Sequence, residues 1–92
     1  MSAETRRWRI GREVAYEFVG DEAVALNLKT GTYFRLNGVG ASAWKHLAKS
    51  PDAEGLADRL LREFDVDRRT LVADVTDFLL ELEGHGLIVR QT

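Results

Sequence analysis

The chain has 92 residues, 45% of them hydrophobic, and a formal net charge of −2, which fits one small domain with a modest core. No apolar run approaches the ~18 residues of a membrane span and no secretory signal opens the chain, so a cytoplasmic protein is expected. The sequence contains no cysteine, which excludes a disulfide framework, a thiol nucleophile and a cysteine zinc site.

The two parts of the chain carry opposite charge. Residues 1–50 hold eight Lys/Arg against five Asp/Glu, a net of +3, whereas residues 51–92 hold five against ten, a net of −5. An acidic second half is also typical of helices whose carboxylates are simply solvated. The acidic charge of the second half therefore favours basic ligands there, but it does not identify a particular ligand.

The first part of the chain predicts three β-strands. Apolar and polar residues alternate with a period of two over Glu13–Phe18 and again over Ala23–Leu28, and a third strand, Thr32–Leu36, follows the turn at Gly31. Gly31 is expected to supply the positive φ that this turn needs. The three strands predict an antiparallel meander that opens a domain over residues 13–92. Residues 1–12 form an N-terminal arm whose order the sequence does not determine.

The rest of the chain predicts three helices. Asn37 is an N-cap for the first, Ser50–Pro51 is a start signal for the second, and Asp67 caps a third that runs to about Glu83. Leu87–Val89 then closes the chain as an apolar tail. Strands followed by helices predict an α+β domain, winged-helix-like, with the helices packed on one face of a small sheet.

Reactive side chains do not cluster along the sequence. His46 and His85 lack a partner at a metal-ligand spacing, and Ser42 lacks a nearby candidate base. Gly38 and Gly40 occur without the lysine of a phosphate-binding loop, and are expected to let the first helix approach the sheet. The sequence therefore predicts no enzyme, no metal and no cofactor.

A nucleic-acid-binding regulator remains the alternative, because winged-helix domains often bind DNA or RNA. The segment from Thr70 to Val89 contains no Lys or Arg, and an acidic helix is repelled by phosphates. A basic arm of Arg6, Arg7, Arg9 and Arg12 keeps the alternative open. The favoured prediction has no nucleic acid and no membrane among the partners.

The third helix has more than one apolar face. At ~100° per residue, Phe78 and Leu82 lie in the arc expected to fill the core. An acidic stripe, proposed to steer a basic ligand, includes Asp74 and Asp77. An apolar margin able to line a groove consists of Val72, Thr76, Leu79 and Leu80.

The third strand is expected to be a sheet edge with few of the features that usually protect one. It has one charge, Arg35, and no proline, so it is either an ordinary short edge or a place where a peptide adds a fourth strand. The second interpretation predicts a peptide-binding site beside the third helix. Its predicted residues are Thr32, Tyr33, Phe34, Arg35, Leu36, Val72, Thr76, Leu79 and Leu80.

The stretch "VALNLKTGTYFRLNGVGASAWKHL" resembles the core signature of the PqqD-like family. An apolar strand leads to a "TG-x-Y" turn, then "LN", a glycine and a tryptophan, which here are Thr30–Gly31, Tyr33, Leu36–Asn37, Gly40 and Trp44. Downstream, "LLREFDVD" and "VADVTDFLLELEGHGLI" are similar to the rest of the family pattern. The resemblance covers about residues 13–89.

The resemblance implies a RiPP recognition element, a small non-catalytic domain that binds the leader segment of a ribosomally made precursor peptide. In this family the leader pairs antiparallel with the third strand and packs against the third helix. The chain most resembles the free-standing lasso-peptide leader binders, whose partners are a leader peptidase and then a macrolactam-forming enzyme. A PqqD-type chaperone for a radical-SAM enzyme, or an adaptor that binds another folded protein, remains an alternative.

Overall fold

The computed structural model describes residues 6–91, which form five strands and three helices. In chain order the elements are β1 (Arg7–Ile10), β2 (Val14–Val19), β3 (Glu22–Asn27), β4 (Tyr33–Leu36), α1 (Gly38–His46), α2 (Ala53–Leu60), α3 (Arg68–Gly84) and β5 (Ile88–Gln91). The α+β prediction is confirmed. Among the described residues, no helix is long and apolar enough to cross a membrane.

The predicted meander is confirmed as the antiparallel sheet β2–β3–β4. Its register aligns Tyr16 with Ala25 and Ala25 with Phe34, and the strand bounds differ from the prediction by about one residue. Gly31 has a φ of 78°, the left-handed conformation expected for the turn between β3 and β4. The sequence pattern was therefore sufficient to define the order of these three strands.

A second, two-stranded sheet was not predicted. β1 pairs antiparallel with β5, so part of the expected N-terminal arm and the apolar tail form one ribbon. Trp8 of β1 is 1% exposed, and the guanidinium groups of Arg6 and Arg90 lie 5.7 and 5.6 Å from its ring centroid. The arm therefore contributes a large side chain to the core from residue 8 onward. The first five residues of the arm lie outside the described residues.

Two of the three predicted helix starts are confirmed. Asn37 is the N-cap of α1, and the Asp67 side chain caps α3 by accepting a hydrogen bond from the N–H of Thr70 at 3.0 Å. The Ser50–Pro51 start for α2 is wrong, because Asp52 is the N-cap and accepts from the N–H of Gly55 at 3.0 Å. The carbonyl of Pro51 instead accepts a hydrogen bond from the N–H of Trp8 at 2.9 Å, which joins β1 to the segment before α2.

The two faces of the three-stranded sheet differ in an unexpected way. The face toward the helices presents the small, fully buried Ala23 and Ala25 of β3, and α1 packs there with Trp44 at 2% exposure. Val24 and Leu26 alternate to the other face. Strand alternation places Tyr33 on that outer face too, where it is 69% exposed. On β3, small side chains thus face the core and larger apolar ones face outward, whereas on β4 the large Phe34 and Leu36 turn toward the core.

Candidate functional site

The outer edge of β4 presents free backbone groups that can be assigned from the register. Asn27 N–H donates to the Thr32 carbonyl at 2.8 Å, so Ala25–Phe34 and Ala23–Leu36 are also hydrogen-bonded pairs, because antiparallel pairs alternate. The N–H and C=O groups of the residues between them, Tyr33 and Arg35, therefore point away from β3. Within residues 6–91, β4 pairs with no strand but β3.

A small apolar pocket lies between α3 and the first turns of α1, which continue directly from β4. Its volume is about 180 Å³. The lining residues are Val39, Gly40, Ala43, Asp74, Val75 and Phe78. A β-carbon on Gly40 would lie 3.4 Å from two ring carbons of Phe78, so this glycine lets the ring approach α1 closely. The expectation that Gly40 serves the approach of α1 to the sheet is corrected: its close neighbour is α3.

The position of β4 relative to α3 is fixed by two contacts at the C-terminal end of the helix. Asn27 is 6% exposed and donates through Nδ2 to the His85 carbonyl at 3.1 Å, while its Oδ1 accepts from the N–H groups of Lys29 and Thr30. The ring of Phe34 lies 4.6 Å, centroid to centroid, from the ring of His85. Together these contacts join the β3–β4 turn, β4 and the end of α3.

The predicted residues of β4 differ in their surroundings. Phe34 packs against the core from a half-buried position, and Leu36 is buried. Tyr33 and Arg35 face the outer side, where Arg35 Nε lies 3.4 Å from Glu22 Oε1. The carbonyl of Thr32 is already engaged by β3. The backbone of Tyr33 and Arg35 and the side chain of Phe34 are therefore the parts of this strand best placed to meet a ligand.

The predicted margin of α3 lies away from the pocket. Leu79 is 1% exposed and belongs to the core, and Leu80 is 37% exposed. Thr76 donates to the carbonyl of Val72, and at ~100° per residue both lie on the same flank as Glu83, which pairs with Arg90 of β5 at 2.9 Å. None of these four predicted residues lines the pocket.

The opposite flank of α3 faces the pocket. Asp74, predicted as a steering charge, lines it, whereas Asp77 is exposed on the helix surface. Phe78, expected in the core, is half-buried and forms one wall. The sequence analysis missed Val39, Gly40 and Ala43. The run of small residues at the start of α1 was the available signal, because it leaves room for an aromatic neighbour.

A polar cluster joins α1 to the segment after α2. Ser42 Oγ donates to Glu63 Oε1 at 2.6 Å, and His46 Nε2 lies 2.7 Å from Glu63 Oε2. Ser42 therefore does have a carboxylate beside it, contrary to the sequence-based expectation. The hydrogen bond from Ser42, then that from His46, lowers the pKa of Glu63, which makes it a weaker base.

That cluster lacks the arrangement of a nucleophile and its base. Ser42 and His46 each hydrogen-bond to Glu63 and not to each other, so the carboxylate joins α1 to the segment after α2. Among residues 6–91, no group of three or more His, Asp or Glu side chains could hold a metal ion.

An α+β domain with an open strand edge and an apolar pocket between its helices belongs to the class of scaffolds that can accept a peptide as an additional strand. The family model described as coenzyme PQQ synthesis protein D (PqqD) matches residues 22–88. The chain therefore belongs to the PqqD family. The match spans β3 to the start of β5, and so includes both the edge and the pocket.

Two solved structures are similar to this one. TbiB1, in complex with the TbiA(beta) leader peptide, shares 38% sequence identity and a TM-score of 0.81, covering 87% of this chain and 93% of that one. A lasso peptide synthetase B1 complexed with the leader peptide has a TM-score of 0.80 over 90% of this chain and 98% of its own, at 22% identity, which supports the fold alone. A search of curated proteins found no match.

Proposed function

We propose that this protein is a RiPP recognition element that binds the leader segment of a ribosomally made precursor peptide. The guest adds antiparallel to β4 and sends side chains into the pocket between α1 and α3. The observation that carries the proposal is the pair of outward-facing residues Tyr33 and Arg35 on an unpaired edge whose strand continues into α1, one wall of that pocket. The similarity to TbiB1, whose structure contains a leader peptide, supports it.

The backbone of the edge provides affinity with little selectivity. An antiparallel guest strand exchanges two hydrogen bonds with Tyr33 and two with Arg35, each contributing about 0.5–1.5 kcal/mol net. The ordering of a flexible peptide consumes much of that gain. Backbone pairing therefore needs side-chain contacts before the complex is stable at micromolar concentration.

The pocket supplies those contacts and the selectivity. Alternate side chains of the guest point to the helix side of the sheet, where Phe34 and the pocket wall of Val39 and Phe78 are apolar. The pocket has room for one large apolar side chain. Asp74 borders it, so we expect a basic residue of the leader to lie close to that anchor.

Amide exchange measured by NMR tests the strand addition residue by residue. On titration with the cognate leader, the N–H groups of Tyr33 and Arg35 should gain protection from exchange. Those of Phe34 and Leu36 should change little, because they already face β3. A scrambled leader of the same composition is the control. Absence of heat in calorimetry together with unchanged Tyr33 and Arg35 amides at high micromolar leader would refute the proposal.

Delivery of the bound precursor to a maturation enzyme, most simply a lasso-peptide leader peptidase in the cytoplasm, is the second part of the proposal. The protein would act without a cofactor or chemistry of its own. The outer face of the sheet is the proposed surface for binding a folded partner, because the apolar side chains of Val24, Leu26 and Tyr33 lie there. Tyr33 also lies on the strand that takes the leader, so the peptidase would cover a surface continuous with the bound peptide.

A pull-down with purified components tests the delivery step. The peptidase of the same gene cluster should bind the wild-type complex and lose affinity for a Leu26→Glu variant that still binds leader. If a radical-SAM enzyme were retained instead, the PqqD-type chaperone function would replace the lasso assignment. Equal retention of both variants would remove the outer face from the proposal.

The winged-helix description is also a proposal, and it does not favour nucleic acid. The helix that would approach phosphates, α3, carries Asp74, Asp77, Glu81 and Glu83. Arg7 and Arg9 lie on β1, in the ribbon with β5. A gel shift with steep salt dependence would support the regulator instead.

A further inference from the structure

The sheet has a second open edge, at β2. This strand has six residues, Val14–Val19, and pairs with β3 alone among the described strands. All its residues except Val14 are exposed, and it contains no proline and the single charge Glu17. Natural edges of this length usually carry proline, several charges or a covering element. The edge is therefore a candidate site for pairing with a further strand.

The register identifies the backbone groups that β2 presents. Leu28 N–H donates to the Glu13 carbonyl at 2.8 Å, which makes Ala15–Leu26 and Glu17–Val24 the hydrogen-bonded pairs with β3. The intervening residues, Val14, Tyr16 and Phe18, consequently turn their N–H and C=O groups outward. Three consecutive outward positions are enough for a strand that repeats the same spacing in the opposite direction.

We infer that a second copy of this chain pairs with β2 along this edge, antiparallel, with Tyr16 on the two-fold axis. In that register each Tyr16 pairs with the other Tyr16, and each Val14 pairs with the second copy's Phe18. All three outward positions of one copy are then matched by the three of the other. Such an interface is isologous, because the same patch serves both subunits.

The charges of the strand select this register over its neighbours. With Tyr16 on the axis, Ala15 lies opposite the second copy's Glu17 and Glu13 lies opposite Val19. A shift in one direction places Glu17 directly opposite Glu17, and a shift in the other places Glu13 opposite Glu17. Like charges directly opposite one another destabilise a strand pair. The proposed register avoids both conflicts.

The side chains support the same arrangement. Tyr16 is 49% exposed and Phe18 is 43% exposed, and their rings meet edge to face with centroids 6.1 Å apart. Both lie on the helix-facing side of β2, where Tyr16 also meets Trp44 at 5.4 Å. Pairing of two copies extends this aromatic row across the axis. The product is a continuous six-stranded sheet with β4 at each outer end, so both leader-binding edges stay open.

Substitutions at the exposed Ala15 test the register with little risk to the core. Ala15→Glu creates two symmetry-related like-charge pairs with Glu17 and should raise the dimer dissociation constant roughly two- to thirty-fold. Ala15→Lys creates two attractive pairs and should lower the constant. The double variant Ala15→Glu with Glu17→Lys should restore dimerisation, while Glu17→Lys alone, which faces Ala15, should change it little.

Sedimentation equilibrium over a wide concentration range measures these constants, with circular dichroism and leader titration as controls of folding. The wild type should dimerise, with the amides of Val14, Tyr16 and Phe18 gaining protection as concentration rises. A wild type that remains monomeric to ~1 mM, the concentration at which association is worth only about 4 kcal/mol, overturns the inference. A dimer dissociation constant that does not change with the charge at position 15 also overturns it. So does concentration-dependent protection of amides in β4 in place of those in β2.

Discussion

The two edges of the three-stranded sheet differ in what lies beneath them. β4 leads directly into α1, which together with α3 walls an apolar pocket, so we expect a strand added at Tyr33 and Arg35 to be selected by its side chains. β2 presents its own aromatic row, Tyr16 and Phe18, and Phe18 lines a larger cavity of about 520 Å³ whose wall includes the charged Asp21, Lys45 and Glu63. An edge whose strand leads to an apolar pocket suits a foreign peptide, whereas an edge with a self-complementary pattern suits a second copy. Similar backbone geometry therefore leads to different partners.

The largest expected effect comes from removing the pocket wall. Phe78→Ala should weaken leader binding by tenfold or more and lower the free energy of unfolding by about 2–3 kcal/mol, less than for a fully buried phenylalanine because Phe78 is half-buried. Calorimetry and urea denaturation measure the two effects. Self-association through β2 should not change.

Leu80→Glu is the matched comparison on the other flank of α3. The sequence-based hypothesis, which placed Leu80 in the groove, expects weaker leader binding. Leu80 lies on the flank away from the pocket, so we expect the Leu80→Glu variant to bind the leader with an affinity within about twofold of wild type. Loss of leader binding by Leu80→Glu but not by Phe78→Ala would mean that the leader binds along the flank of α3 that contains Val72 and Thr76.

A proline in place of Arg35 tests whether the outward-facing backbone N–H of this residue binds the leader. Arg35→Pro removes an N–H that faces the guest while leaving the bonds to β3 in place, and should weaken leader binding about three- to thirtyfold. Arg35→Ala keeps the N–H and should bind nearly as well as wild type. Equal losses in the two variants would mean that the guanidinium, rather than the backbone, contacts the leader.

A smaller effect is expected at the rim of the pocket. Asp74→Asn should slow association with a basic leader several-fold at low salt and have little effect at high salt, because screening removes long-range attraction. Stopped-flow fluorescence measures the association rate. Asp77→Asn, on the exposed surface beside it, is the control. A change in dissociation rate alone would mean direct contact and not steering.

The smallest effect concerns a region that serves neither edge. Hydrogen bonds from Ser42 and His46 lower the pKa of Glu63 below its ordinary value of 4.5. Its contribution to stability is therefore present above pH 4.5 and is lost as the pH falls through the lowered pKa. The unfolding midpoints of wild type and Glu63→Gln should converge in acid. The difference is small because the Glu63 side chain is 43% exposed.

Local signals predicted the fold well where they act within a few residues. The glycine turn at Gly31, the period-two strands and the cap at Asp67 are each fixed by neighbouring residues, and all are confirmed. The cap at Ser50–Pro51 was misplaced because Asp52, two residues later, accepts the capping hydrogen bond, while the Ser50 hydroxyl accepts one from Arg59. The β1–β5 ribbon was missed because its partners are about eighty residues apart in sequence.

By itself, the sequence determined the order of the three strands of the main sheet, the helix order, the absence of thiol chemistry and the position of β4 at an edge of that sheet. Only the tertiary structure decided which flank of α3 borders the pocket with α1, which backbone groups of β4 are free, and that Trp8 belongs to the core. The physical reason is the range of the interactions. Periodicity places residues on a helix or strand face, but which neighbour each face meets depends on contacts between segments distant in the chain.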